Sequence, residues 1–256
     1  LLIALRNGVK IIVPTLDTEL AILAKNKQLF AAEGITVVVS DLYLINTFRD
    51  KRKSSTFFRK YNIDTPHIYD KKNLKFPLFI KPYDGSRSID TFFIPSADAL
   101  PADLLKNKKL MYMEYIDNAD YDEFTVDMYY DKNNYLKCLV PRKRIEVRSG
   151  EILKGITVKN QIMQFLKQKL RKINGAIGCL TLQLFYNRED GSIKAFEINP
   201  RFGGGYPLAY CCGSNYPEYI IREYLLNEEI DYFDNWEDVL LMLRYDDEIL
   251  IHRSNL

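Results

Sequence analysis

Short apolar runs alternate with helically spaced segments along this chain, and glycine, proline or acidic turns separate them. Residues 9–13 (Val-Lys-Ile-Ile-Val) read as a buried-type strand stopped by Pro14 and Thr15. Over residues 17–33 the apolar positions, Leu20, Leu23 and Ala24 among them, follow helical spacing, and Gly34 closes the helix. Residues 36–40 (Thr-Val-Val-Val-Ser) are a second strand. Strand, helix and strand with glycine stops predict a parallel, Rossmann-like unit. It has no Gly-x-Gly-x-x-Gly turn, so no dinucleotide is assigned to it. Residues 1–8 look like the end of a helix with a glycine stop, without a starting Met, and an N-terminal portion is expected before them.

Further along, a charged helix is expected over residues 50–61, ending before Pro66. Residues 78–82 and 111–116 read as strands, with the loop 83–88 after the first. An acidic loop leads into an extended segment at 123–130; 136–141 and 142–147 also read as extended, and 158–173 as a helix. Pro217 opens a last helix, which Ser214 or Asn215 can cap.

The alternation is most informative at residues 194–202, which run into Gly203, Gly204 and Gly205. In a strand, Glu197, Asn199 and Arg201 share one face while Phe196 and Ile198 share the other. Residues 179–186 form the preceding arm of a hairpin, and two registers compete for it. A two-residue Asp190-Gly191 turn would set Gln183 opposite Ile198. A three-residue loop, Glu189-Asp190-Gly191, pairs Gln183 with Glu197 and puts Leu182 and Leu184 with Ile198 and Phe196. Because a one-residue slip flips every side chain, the apolar pattern decides for the second. Gln183, Glu197 and Asn199 then converge, with opposed side chains about 5 Å apart. An acid, amide oxygens and a guanidinium on one face suit a hard divalent cation holding a phosphate. The plainer alternative is a hairpin with three polar residues facing water.

Composition narrows the classes. The chain has 256 residues, 47% hydrophobic and 27% charged, an ordinary balance for one large or two modest domains. A net charge of +2 gives no broad electrostatic case for nucleic acid or membrane. Only His67 and His252 could supply imidazole, which argues against an imidazole metal site. Four cysteines without a Cys-x-x-Cys pair suit a reducing, cytosolic setting, and no apolar run reaches membrane-spanning length.

Other segments carry weaker signals. Lys81 ends an apolar strand ahead of a Gly/Ser loop, where a lysine can reach a phosphate; a strand-end lysine can equally be solvated. Arg142 and Arg144 share a face that suits an anionic ligand or a solvated edge strand. Residues 113–116 could wall an adenine or simply be core, and Glu123 could accept ribose hydroxyl bonds or face water. The cluster Arg49, Lys51, Arg52, Lys53 reads by default as a solvated helix start. The triple glycine reads as a close approach of backbone to a ligand, or as a simple turn.

Taken in order, the lysine with its glycine loop, the Glu-Tyr-Ile strand, Glu-Phe-Thr-Val-Asp, Gln183 and Glu-Ile-Asn-Pro-Arg together resemble the ATP-grasp superfamily. The likeness is greatest to its carbamoyl-phosphate-synthetase-like branch. It implies an α/β fold with two α+β lobes clasping a nucleotide. Residues 46–256 would form the ATP-grasp domain (small lobe about 62–113, large lobe about 117–256), and 1–45 the remnant of a preceding Rossmann-like domain. It further implies that Lys51 and Lys81 contact phosphates, that Glu114 and Ile116 hold adenine at the hinge, and that Glu123 holds ribose. Arg142 and Arg144 join the nucleotide set; Gln183, Glu197 and Asn199 bind Mg²⁺ (or Mn²⁺). Arg201, with Lys81, serves the transferred phosphoryl group. The loop after Lys81 departs from the usual glycine-rich form, which leaves the role of Arg87 open.

The activity implied is an ATP-dependent ligase that joins a small-molecule carboxylate to an amine through an acylphosphate. A close variant phosphorylates bicarbonate or carbamate. A non-catalytic ATP-binding module and a small-molecule kinase are the competing classes. No nucleic-acid or membrane partner is expected, and a homodimer is compatible with the resemblance.

Overall fold

A computed structural model describes residues 1–85, 89–148 and 150–247. Strands β1 (Ile11–Ile12) and β2 (Thr36–Val37) pair in parallel, as the strand–helix–strand pattern requires. The intervening helix is split into Asp17–Lys25 and Lys27–Ala32. Asn26 makes the break: its side-chain amide donates to the Ile22 carbonyl at 2.8 Å, competing with helix continuation. Leu20, Phe30, Ile35, Val37, Val39 and Ile45 are buried together in a small core of this unit.

Helices Leu42–Arg49 and Lys51–Lys60 follow. The first was not expected, since Asn46 and Thr47 are poor helix formers; burial of Leu44, Ile45 and Phe48 carries it. The second matches expectation, with the Asp50 carboxylate accepting from the Arg52 backbone amide at 3.0 Å.

Strands β3 (Ile68–Tyr69), β4 (Leu78–Pro82), β5 (Phe92–Ile94) and β6 (Leu110–Glu114) form an antiparallel sheet in the order β3-β6-β4-β5. Alternation along β4 buries Leu78 and Ile80 in its core, leaving Phe79 and Lys81 to line a cleft. The other side of that cleft is a six-stranded antiparallel sheet built from β7 (Tyr121–Tyr130), β8 (Leu136–Arg148), β9 (Glu151–Thr157), β10 (Gly178–Asn187), β11 (Ile193–Asn199) and β12 (Leu241–Leu243). Its order is β11-β10-β7-β8-β9-β12. Strands β9 and β12 were not read from the sequence. Because β9 covers β8, the arginines of β8 lie on an interior strand, which removes the solvated-edge alternative. The main core lies against one face of this sheet, with Val126, Met128, Leu182 and Ile198 fully buried under the helix Gln161–Lys169. That helix is shorter than the expected 158–173 and starts at an Asn160 cap. The last helix is Tyr216–Tyr224, capped by Asn215.

The hairpin pairs Gln183 with Glu197 as expected, yet reaches that register differently. Asn187 bonds Ser192 across a four-residue loop, 188–191, instead of the three-residue loop. A β-bulge between Gln183 and Leu184 absorbs the difference, so Leu184 pairs with Ala195. Phe196 is the residue left over. It does not join Ile198 in the core; Ala195 does, while Phe196 stacks on Phe185 with centroids 4.5 Å apart.

All four cysteines are free. No helix among the described residues is long and apolar enough to cross a membrane.

Candidate active site

The face of the large sheet opposite this core is divided: Tyr129, Cys138, Val140 and Cys179 lie in a second apolar core with Tyr206, Tyr216 and Trp236, and beside it the same face is polar. The register sets Glu197, Gln183, Thr125, Arg142 and Thr157 in one row across β11, β10, β7, β8 and β9. A neighbouring row brings Asn199, Thr181 and Asp127 together. Of these, Glu197, Gln183, Thr125, Arg142, Asn199 and Thr181 line one or both of two cavities that share Arg144, Gly150, Gln183 and Glu197.

The first cavity, about 300 Å³, lies between the two sheets. Lys51, Lys81, Glu114, Ile116, Glu123, Arg144, Gln183 and Glu197 all line it, with Phe79, Met113, Phe185 and Phe196 as apolar walls. Sequence positions spread over most of the chain thus meet in one place. Lys51, expected by default to be solvated, is buried; its ammonium donates to the Gly85 carbonyl and lies 3.6 Å from Glu197. Lys81 is 8% exposed, and burial pulls its pKa down to about 8, with Glu197 opposing the shift. Burial raises the Glu123 carboxyl against the pull of Arg144, whose Nη1 stands 2.7 Å away. The Glu114 carboxylate is already engaged, by Lys194 Nζ at 2.6 Å and the His67 amide at 3.0 Å.

The second cavity, about 680 Å³, holds the remaining expected residues: Asn199, Arg142 and Arg201. Asn199 Nδ2 donates to Glu197 Oε1 at 3.1 Å. Arg142, expected in the nucleotide set, lines only this cavity and is 1% exposed. Its Nε donates to the buried Asp127 carboxylate at 2.6 Å, so its charge is spent inside the protein. The triple glycine also gains a definite reason. A Cβ on Gly205 would collide with the Arg142 guanidinium and with Ile152 at 2.7 Å, and one on Gly203 would meet Thr181 at 3.0 Å. The close approach is to the sheet's own side chains. Arg201 is gripped by Asp17, a residue with no signal in the sequence since the two lie 184 positions apart. Arg87 lies outside the described residues.

No cluster of three or more His, Cys, Asp or Glu side chains that could hold a metal occurs among the described residues. A cation here would rest on Glu197 with the amide oxygens of Gln183 and Asn199. That all-oxygen set, on one face of one hairpin, fits a hard divalent ion.

Two lobes with a nucleotide-sized cleft between a small and a large antiparallel sheet define an ATP-grasp protein of the α/β class. Solved structures share this fold. The biotin carboxylase domain of Hydrogenobacter thermophilus 2-oxoglutarate carboxylase, bound to MgADP, ADP and bicarbonate, superposes with a TM-score of 0.71 at 16% identity, over 93% of this chain and 58% of that one. An L-amino acid ligase from Bacillus licheniformis gives 0.64 at 17% identity, over 88% and 58%. N5-carboxyaminoimidazole synthetase from Staphylococcus aureus, complexed with ADP, gives 0.67 at 15% identity, over 86% and 62%. This chain therefore spans less than two thirds of each of these structures. More specifically, it belongs to the family described as "ATP-grasp in the biosynthetic pathway with Ter operon", whose model matches residues 106–245, over half of the chain. No curated protein matches it.

Proposed function

We propose that this chain is an ATP-dependent carboxylate–amine ligase. The observation that carries the reading is the position of Gln183 and Glu197, which line both cavities, where a metal ion could join a nucleotide in one to an acid in the other. ATP occupies the first cavity. Glu114 and Ile116 border its adenine, Glu123 its ribose, and Lys51, Lys81 and Arg144 its phosphates. Mg²⁺ or Mn²⁺, held by Gln183, Glu197 and Asn199, supplies positive charge that neutralises the phosphates when bound. The carboxylic acid occupies the second cavity, with Arg201 facing the phosphoryl group in transit.

One carboxylate oxygen takes the γ-phosphoryl group of ATP, giving an acylphosphate and ADP. The amine nitrogen then bonds to the carbonyl carbon, phosphate leaves, and the nitrogen loses a proton. The residues act by positioning and electrostatics, and the closed cleft keeps water from the acylphosphate. In the carbamoyl-phosphate-synthetase-like variant, bicarbonate or carbamate takes the place of the acid in the same cavity. In the same reading, residues 1–45 form a Rossmann-like unit ahead of an ATP-grasp domain at 46–256.

The test is phosphate release from Mg-ATP with pools of carboxylic acids and amines. The ligase releases phosphate only with both pools present. A phosphorylated product formed without amine would mark a kinase, and no turnover with either pool a binding module.

A further inference from the structure

We infer that Asp17 is the positioning residue for Arg201, so that the N-terminal unit takes part in phosphoryl transfer; this rests on the ligase reading above. Asp17 opens the helix Asp17–Lys25 and is held there on two sides. Leu20 anchors the helix in the small core, and Glu19 accepts from the Thr15 and Leu16 amides at 3.0 Å. From this fixed point Asp17 Oδ1 accepts from Arg201 Nε at 2.8 Å and Oδ2 from Nη2 at 2.7 Å. Arg201 Nη1 donates to the Phe202 carbonyl at 3.0 Å, and the Arg201 carbonyl accepts from the Thr181 hydroxyl at 2.8 Å.

Two-point pairing with a carboxylate fixes the plane of a guanidinium as well as its place. An arginine has five N–H donors. Three are occupied here, and the remaining two belong to Nη1 and Nη2, on the edge that Asp17 leaves open. Both residues line the second cavity beside Gln183, Glu197 and Asn199. The pair is mostly buried, its side chains 20% and 22% exposed. What it supplies is orientation: the residue expected to meet the transferring group is aimed by a carboxylate from a different unit of the chain.

The test uses the whole chain and Mg-ADP with aluminium fluoride, a mimic of the transferring phosphoryl group, which needs neither acid nor amine. Asp17→Asn should weaken the fluoroaluminate complex about tenfold while Mg-ADP alone binds within about twofold of wild type. Asp17→Glu should recover part of the loss. In an Arg201→Ala background, Asp17→Asn should change the affinity by less than about twofold, because the two act as one unit. Three results would overturn the proposal: an unchanged fluoroaluminate affinity in Asp17→Asn, an equal loss when Arg201 is absent, or no such complex with the wild type. The ligase reading falls on a different result, the absence of phosphate release when both pools are supplied.

Discussion

Lys81 has an apolar strand behind it and a charged cleft before it, and the conflict shows in its titration. Burial lowers its pKa from the ordinary 10.5 to about 8; Lys51 adds to the shift and Glu197 resists it. The folded-state value lies below the unfolded one, so burying the charged amine costs stability below pH 8. That cost fades as pH rises from about 8 towards 10.5. Binding runs the other way. A phosphate favours the ammonium, so ATP affinity should hold below pH 8 and fall as pH rises through it, by at most about tenfold per unit. Calorimetric titration of ATP into wild type and Lys81→Arg checks this: the arginine variant, charged throughout, should show a flat profile. An equal fall in both would assign the pH dependence to another group. The lysine's place at the end of a strand before a glycine loop was legible in the sequence. Its burial was not, because that depends on Phe79, Phe196 and the opposite lobe closing around it.

At the scale of elements, the triple glycine and the bulge show what pattern reading captures and what it omits. Three glycines after a strand announce a close approach, but nothing local says that Arg142 fills the space over Gly205. Gly205→Ala should therefore destabilise the protein by about 1–3 kcal/mol in urea unfolding, as overpacking does. Gly204→Ala, whose added methyl would find Glu151 at 3.7 Å, should be nearly neutral. Equal effects would mean that the turn, and not the guanidinium, sets the requirement. The pairing of Gln183 with Glu197 was legible because it keeps Leu182 on the core face with Ile198. The bulge that moves Phe196 out of the core was not, since a single inserted residue leaves the flanking alternation intact. Strand β9 was missed for a related reason: Gly155 breaks its pattern, and it is held by pairing with β8 on one side and β12 on the other.

Across the whole molecule there are four apolar cores, two of them on opposite faces of the large sheet, and three parts of the chain meet at that sheet's polar patch. The N-terminal unit sends Asp17, the small sheet sends Lys81, and the large sheet carries Gln183, Glu197, Asn199 and Arg201. Motif order made the fold and most of this set legible from sequence. The contacts between regions, Asp17 with Arg201 above all, were out of reach because no local spacing encodes them. In the proposed site the oxygens of Gln183, Glu197 and Asn199 hold a divalent cation on the nucleotide. The most direct measurement is Mn²⁺ binding in the presence of ADP, followed by electron paramagnetic resonance, for wild type and Glu197→Gln. ADP-dependent Mn²⁺ binding should weaken by about tenfold or more in the variant, while its melting temperature stays close to wild type. Mn²⁺ held equally well by Glu197→Gln would contradict this site.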